Sequence, residues 1–411
     1  NRMALDMPLM DALARLGKER SFAVIVDQLD SIAETDLGKN FTSFLKAVAG
    51  IPKAKVLAVS RSYELLHDPD ISQLGFNTIE SGCLTNEHVL EYLSRIGLTA
   101  PSPYIVDLAS NLLNLSMISE VVALTPAQPL TIVSEVELWK QYFVTIQQRE
   151  GDEAAEFALR LAREVTVRGE RRFEVQFPNI SIRRKLLSRG ILVESPGRRY
   201  AYLHEQLQDF LCAYSLLPEQ PGLLQLINEF GKNLSKGVIL WLHMLYHVEC
   251  PDIEPIFIED ILAAKDRLPF YTRVLVLESL KPQVNPSDRV VRVVSKHFSD
   301  RAYQRFFFGN LNNPSWIGLL FTAGFFYIPP DPIEVEPGSY QMPDWPAGEY
   351  LARFADQNEE IVIDVIKVIQ TENWRVQETL VDALMKIQPA SAADLSDVID
   401  PWLNGRFSHG L

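Results

Sequence analysis

Residues 22–30 read Phe-Ala-Val-Ile-Val-Asp-Gln-Leu-Asp. An apolar run rich in β-branched side chains, broken off by an acid, is the pattern of a strand buried on both faces, as in parallel sheets. A second run, Lys55-Val56-Leu57-Ala58-Val59-Ser60-Arg61, has the same form, and the segment from Phe41 to Ala49 between the two has helical spacing. Strand, helix, strand predicts parallel neighbours, because a parallel pair needs a crossover connection. Asp27 and Arg61 would then share the carboxyl edge, where sheets of this kind bind ligands. The Arg61 guanidinium could read a terminal phosphate bidentately there. The plainer alternatives are a strand that merely ends in Asp and an arginine exposed at a strand end.

The order of elements around this pair follows from local signals. Leu5, Leu9, Leu13 and Leu16 recur with helical spacing from Ala4 to Leu16, and Gly17 is the expected stop. Phe76 to Ile79 reads as a short extended piece. Thr85 is placed to cap a helix whose apolar series is Val89, Leu90, Leu93 and Ile96, with Gly97 ending it. Tyr104 to Leu124 reads as one helix, and Glu137 to Phe143 as an aromatic-rich core helix.

Between 151 and 217 the pattern changes. Helices around Phe157–Val167 and Ile182–Arg189 precede two short strands, Ile191–Glu194 and Arg199–Leu203, joined by Ser195-Pro196-Gly197-Arg198. Helices followed by such a hairpin predict a winged helix with the Pro-Gly turn at its tip. Arg183, Arg184, Lys185, Arg198 and Arg199 offer charge for DNA, but Glu170, Glu174, Glu194 and Glu205 interleave with them. With a net charge of -14 over the whole chain, a nucleic-acid surface is disfavoured. His204 stands at the start of an amphipathic helix (Leu207, Phe210, Leu211, Tyr214), where a ring nitrogen could donate to a phosphate. A histidine satisfied by backbone at a strand–helix junction is the alternative.

From 218 onward apolar residues recur at threes and fours between Pro, Asn and Asp punctuation, as in Val376, Leu380, Ala383, Leu384 and Ile387. Helix pairs near Glu359–Ile369 and Trp374–Ile387, and around Val238–Tyr246 and Thr272–Phe298, have the length of helical-hairpin repeats. Tyr327 to Pro346 interrupts them as an extended, proline-rich excursion. His243-x-x-x-His247 with Cys250 has metal-ligand spacing but no fourth ligand, and Trp241, Met244 and Leu245 around it favour a packed helix.

A chain of 411 residues exceeds one core, so several units are expected. Three widely spaced cysteines, Cys83, Cys212 and Cys250, suit a reducing cytosol. The longest apolar run, Trp316 to Ile328, falls short of the roughly 20 residues that span a bilayer.

The succession Val24-Ile25-Val26-Asp27-Gln28-Leu29-Asp30, then Val56 to Leu65, then Leu186–Val193 and Tyr202–Ala213, resembles the Walker B, sensor and winged-helix segments of the STAND NTPases, signal-transducing ATPases that include the NACHT proteins. The resemblance covers roughly the first half of the chain. It implies a partial parallel α/β NTPase core over 1–80, a small helical domain over 81–150, a winged helix over 151–217 and a HEAT- or TPR-like α-helical repeat region over 218–411, mainly α overall. It also implies ATP/ADP and Mg²⁺ as cofactors: Asp27 the Mg²⁺-side acid, Asp30 orienting or deprotonating the attacking water, Arg61 sensing phosphate, and His204 touching the β-phosphate of ADP in a closed state. The biology it implies is cytoplasmic antiviral defence in bacteria. There the repeats sense a foreign protein, nucleotide exchange drives self-oligomerisation, and an effector is switched on.

Two departures stand out. No Gly-x-x-x-x-Gly-Lys-Ser/Thr occurs anywhere, and the nearest candidates, Gly17-Lys18-Glu19 and Gly38-Lys39-Asn40, lack the upstream glycine and the hydroxyl. Where the family carries an Asn-Pro-Leu-like turn against adenine, this chain reads Asn111-Leu112-Leu113. The expectation is a fragment whose phosphate loop lies upstream, inactive by itself. The alternative is a non-catalytic helical scaffold with a degenerate NTPase domain.

Overall fold

The computed structural model describes residues 8–26, 29, 38–60, 69–79, 83–124, 132–195, 197–309, 311–393 and 395–403. It is mainly helical and divides into two compact units, Asn1–Leu84 and Thr85–Leu411.

In the first unit, helix α1 (Leu9–Glu19) leads into strand β1 (Phe22–Val26), and helix α2 (Gly38–Ala49) crosses over to strand β2 (Ala54–Ala58). The strands pair in parallel from Phe22 opposite Ala54 to Val26 opposite Ala58. One face carries Val24, Val26, Val56 and Ala58 into a core with Leu29, Phe41, Phe44, Leu45, Ile71, Leu74 and Phe76. The opposite face is open. Ile25 is 70% exposed, Leu57 56% and Val59 52%. The expectation of burial on both faces is therefore corrected: among the described residues the sheet has two strands, and no described element covers its second face.

Gly17 does not stop α1, which runs on to Glu19. Its missing side chain has another use, because a Cβ there would collide with Ile51 Cγ2 at 2.5 Å and with the Pro52 carbonyl at 2.7 Å. The glycine lets the helix lie against the turn that feeds β2. Residues 75–79 form no strand.

In the second unit the Thr85-capped helix runs over Asn86–Arg95, with His88 N–H donating to Thr85 Oγ1 at 3.4 Å. The single helix expected over 104–124 is two, Pro103–Ala109 and Leu112–Leu124. Asn111 breaks it, because its Oδ1 accepts from the amides of Leu113 (2.9 Å) and Asn114 (3.3 Å) and so starts a new helix. Trp139, from the next helix, is buried against Phe210 and Trp241, with ring centroids 5.3 and 4.9 Å away.

Helices α3 (Asp152–Arg168) and α4 (Ile180–Ser188) are followed by the antiparallel hairpin β3 (Leu192–Ser195) and β4 (Arg199–Tyr202) and by helix α5 (Glu205–Leu216). Phe173 adds a bridge to Tyr200 on the other side of β4. Gly197 (φ 87°) and Arg198 (φ 60°) carry the turn; the Pro-Gly pair foretells the first of these and not the second. Tyr202, the last residue of β4, is buried and donates to the Ala158 carbonyl at 2.7 Å, tying the hairpin to α3.

Beyond α5 come the helix Leu223–Phe230, helices α6 (Lys236–Glu249) and α7 (Glu254–Ala263), then Phe270–Leu280, Asp288–His297, Arg301–Gly309 and Trp316–Thr322, and after an interruption Pro346–Arg353, Glu359–Val368 and α8 (Trp374–Leu384). Alternate helices pack on one another. One layer runs α5, α6, 270–280, 301–309, 346–353 and α8; the other runs 223–230, α7, 288–297 and 316–322. A two-layer stack buries each helix against its neighbours along the series, so large side chains such as Tyr246, Phe298, Phe307, Trp316 and Tyr350 are wholly enclosed. Among the described residues no helix is long and apolar enough to cross a membrane.

The interruption holds a feature that periodicity did not suggest. Strands β5 (Ile333–Glu336) and β6 (Ser339–Gln341) form a bulged antiparallel hairpin turning at Gly338 (φ 79°). Every residue in both strands is exposed.

Candidate functional site

The carboxyl edge of the β1–β2 pair is built as its strands require. The Val59 amide donates to the Val26 carbonyl at 2.8 Å, and the Leu29 amide donates to the Val59 carbonyl at 2.8 Å. The chain before and after Asp27 is thus tied to β2, with Leu29 buried as the anchor. Asp27, Asp30 and Arg61 themselves lie outside the described residues.

His204 is described. It caps α5 through its backbone, in extended conformation (φ -125°, ψ 137°), its carbonyl accepting from the amides of Leu207 (3.1 Å) and Gln208 (3.3 Å). Its side chain makes no capping bond, and the residue is exposed. Partial desolvation lowers its pKa below the ordinary histidine value, so the imidazole is neutral near pH 7. A neutral ring at a helix start can donate one hydrogen bond to an acceptor, and the adjoining amides lend partial positive charge.

One turn further on, polar groups are locked. Asp209 is buried, accepts from Ser235 Oγ at 2.9 Å and faces Arg171 at 3.7 Å; Arg171 also pairs with Glu205. Gln208 donates to Thr166 Oγ1 at 3.1 Å, and Thr166 donates to the Ala162 carbonyl at 2.7 Å. Burial pushes the Cys212 thiol far up, so it is inert as a nucleophile. These bonds fix α5 to α3 and α6. They leave His204 as the ring on this junction without a side-chain partner among the described residues.

Part of the charge around the hairpin is paired. Arg183 pairs with Glu194 at 2.9 Å and Arg199 faces Glu174 at 3.9 Å. A cavity of about 290 Å³ opens beside α3, lined by Phe157, Leu161 and Val175 with Arg160, Arg168, Glu164 and Glu174 on its polar sides. Both signs of charge line it, and His204 is not part of it.

His243 and His247 do meet, about an acid. The group between them is Glu254, the first residue of α7. Its Oε1 lies 3.0 Å from His247 Nδ1 and 3.4 Å from His243 Nε2, a close approach that falls short of a formed hydrogen bond in the second case. His243 Nδ1 is 2.9 Å from Ser279 Oγ. Cys250 is turned to Gln220 instead, at 3.3 Å. No set of three His, Cys, Asp or Glu side chains able to hold a metal occurs among the described residues. The sequence signal for Glu254 was present but faint: a lone acid in the apolar run Ile253 to Ile258, just before Pro255 at a helix start.

As a nucleotide site the described residues are incomplete. His204 offers one donor, and the sequence supplies no glycine loop to cradle phosphates. No protein-family model matches the chain, and no curated protein matches it.

Proposed function

We propose that this chain is the regulatory portion of a STAND-type switch in which the helical stack beyond residue 217 senses a protein ligand. In this reading the 151–217 segment acts as a winged helix and passes the event to an α/β NTPase core of which β1, α2 and β2 are part. Asp27 and Asp30 serve as the acids, and Arg61 and His204 as nucleotide contacts. The complete protein works in the cytoplasm, exchanges ADP for ATP with Mg²⁺, self-assembles and activates an effector in defence against a foreign protein such as one from phage. The physical logic is a population shift: the ligand favours whichever state it binds more tightly, and only by that difference.

The observation that supports this reading best is the open face of the β1–β2 pair. Parallel sheets occur with both faces covered, and a two-stranded parallel pair exposing Ile25, Leu57 and Val59 has the form of one part of a larger sheet. The second reading, a scaffold with a degenerate α/β unit, is favoured by the absence of any Gly-Lys-Ser/Thr from the sequence.

Calorimetric titration of Mg-ADP and Mg-ATP into the complete gene product separates the two. Saturable binding that Asp27→Ala and His204→Ala each weaken by about tenfold supports the switch. A complete product that binds neither nucleotide leaves the scaffold.

A further inference from the structure

The β5–β6 hairpin is a free-standing element on a rigid footing. Its two legs are joined by one side chain: Asn373, wholly buried at the start of α8, donates from Nδ2 to the Pro330 carbonyl and to the Pro343 carbonyl, each at 2.9 Å. Arg305 grips the second leg with a two-pronged bond to Asp344, at 2.8 and 2.6 Å. The next residue, Trp345, is buried and fits against Gly348, where any Cβ would overlap its ring. Above this base the strands pair, among the described residues, with each other alone, and both outer edges present backbone groups without a described strand partner.

The tip has a definite chemistry. Apolar and acidic residues alternate in sequence along β5 as Ile333, Glu334, Val335 and Glu336, with a bulge between the two glutamates, which stand opposite Tyr340 and Ser339 of β6, and Val335 is 57% exposed. No Lys or Arg occurs from Phe306 to Ala352, whereas Asp331, Glu334, Glu336, Asp344 and Glu349 do. Asp344 is taken by Arg305; Asp331, Glu334 and Glu336 form no ion pair among the described residues. Such acids repel a second copy of the same edge and attract a strand of opposite charge.

We propose that this hairpin is a docking element that adds an extended basic segment of a partner protein as a third strand along β5, the partner's Lys or Arg answering Glu334 and Glu336 and its apolar residues answering Ile333 and Val335. Strand addition draws affinity from backbone bonds and selectivity from alternate side chains. A hairpin already held at its base loses little freedom on binding. This role depends on the stack being a protein-docking region, which the switch and the scaffold share, and is independent of any nucleotide site.

The test is fluorescence anisotropy of a labelled nonapeptide of alternating Lys and Val, and of its Glu-Val counterpart, titrated with the 411-residue chain. Saturable binding of the Lys-Val peptide alone is expected. Glu334→Lys with Glu336→Lys should weaken it by about tenfold or more, as should Ile333→Asn with Val335→Asn, while Glu87→Lys with Glu153→Lys, an equal change of net charge elsewhere, leaves it within about twofold. Unchanged melting of the hairpin variants would show that the fold is kept. Absence of saturable binding, or equal loss in the distant charge pair, overturns the proposal. Because no nucleotide is added, a failed nucleotide titration leaves this result untouched.

Discussion

The Asp209 carboxylate lies directly over the Cα of Gly237, so close that a methyl group there would overlap Oδ2. Alanine in place of a helical glycine ordinarily stabilises by up to about 1 kcal/mol. Here the sign should reverse. Asp209 is held in place by Ser235 and buried against α6, so Gly237→Ala is expected to destabilise by roughly 1–3 kcal/mol through overpacking. Urea melts read the change. In an Asp209→Ala background the same substitution should cost markedly less, and equal cost in both backgrounds would place the clash elsewhere.

The Glu254 carboxylate gives the second unit a pH signature. Burial by itself would raise its pKa, but the approach of His243 and His247 outweighs that and holds it at about 2. His247 is raised by its hydrogen bond to Glu254, against the opposing effect of burial. A depressed carboxylate stabilises the fold above its unfolded value of about 4.3, and that stability is lost as pH falls toward about 2. A raised histidine contributes fully below its unfolded value of about 6.5 and loses the contribution as pH climbs through its folded value. Both terms are present together between about pH 4.3 and 6.5, so thermal stability should be greatest there. Glu254→Gln is expected to flatten both limbs and to cost about 1–3 kcal/mol near pH 6. Melting curves across pH 3–9 that keep both slopes in the variant would remove Glu254 from this role.

What the sequence disclosed and what it hid divide along physical lines. Parallel pairing of 22–26 with 54–58, the cap at Thr85, and the 192–202 hairpin follow from period, capping residues and turn residues, all local quantities. The helix break at Asn111 was also local but was masked by the apolar residues on either side. Glu254, Asn373 and Gly237 could not be ranked in advance, because their partners lie between 7 and 43 positions away and no period links them. His243 and His247 showed correct spacing for one helix face, while the acid between them came from the next helix. The open face of β1–β2 was likewise hidden, since strand composition reports a preference for burial and not whether a cover is present.

Asn373 joins two functions in one amide. Its Nδ2 donates to Pro330 and Pro343, and its Oδ1 accepts from the Arg375 amide at 3.1 Å to start α8. Asn373→Ala forfeits both and should cost about 2–4 kcal/mol. Asn373→Asp keeps the cap acceptor but sets an oxygen against two carbonyl oxygens, so it should destabilise at least as much as alanine. Hydrogen exchange adds the location: Asn373→Asp should speed exchange in 330–343 more than in 374–384. Uniform acceleration across both segments would mean that the clamp is a general core contact.

His204 occupies the cap position of α5 with a side chain that makes no cap. Serine there, in the same extended backbone, could accept from the amide two or three residues on and should stabilise by about 0.5–1 kcal/mol. A position where a more stable choice is so simple, and where the ring is neutral and exposed, fits a residue kept for contact with something else. His204→Ser is therefore expected to raise the melting temperature and, in the complete gene product, to weaken Mg-ADP binding. The two readouts are independent. A rise in stability with nucleotide affinity unchanged would make His204 a cap of poor quality and nothing more, and the search for the phosphate contact would move to Arg61 and the segment around Asp27.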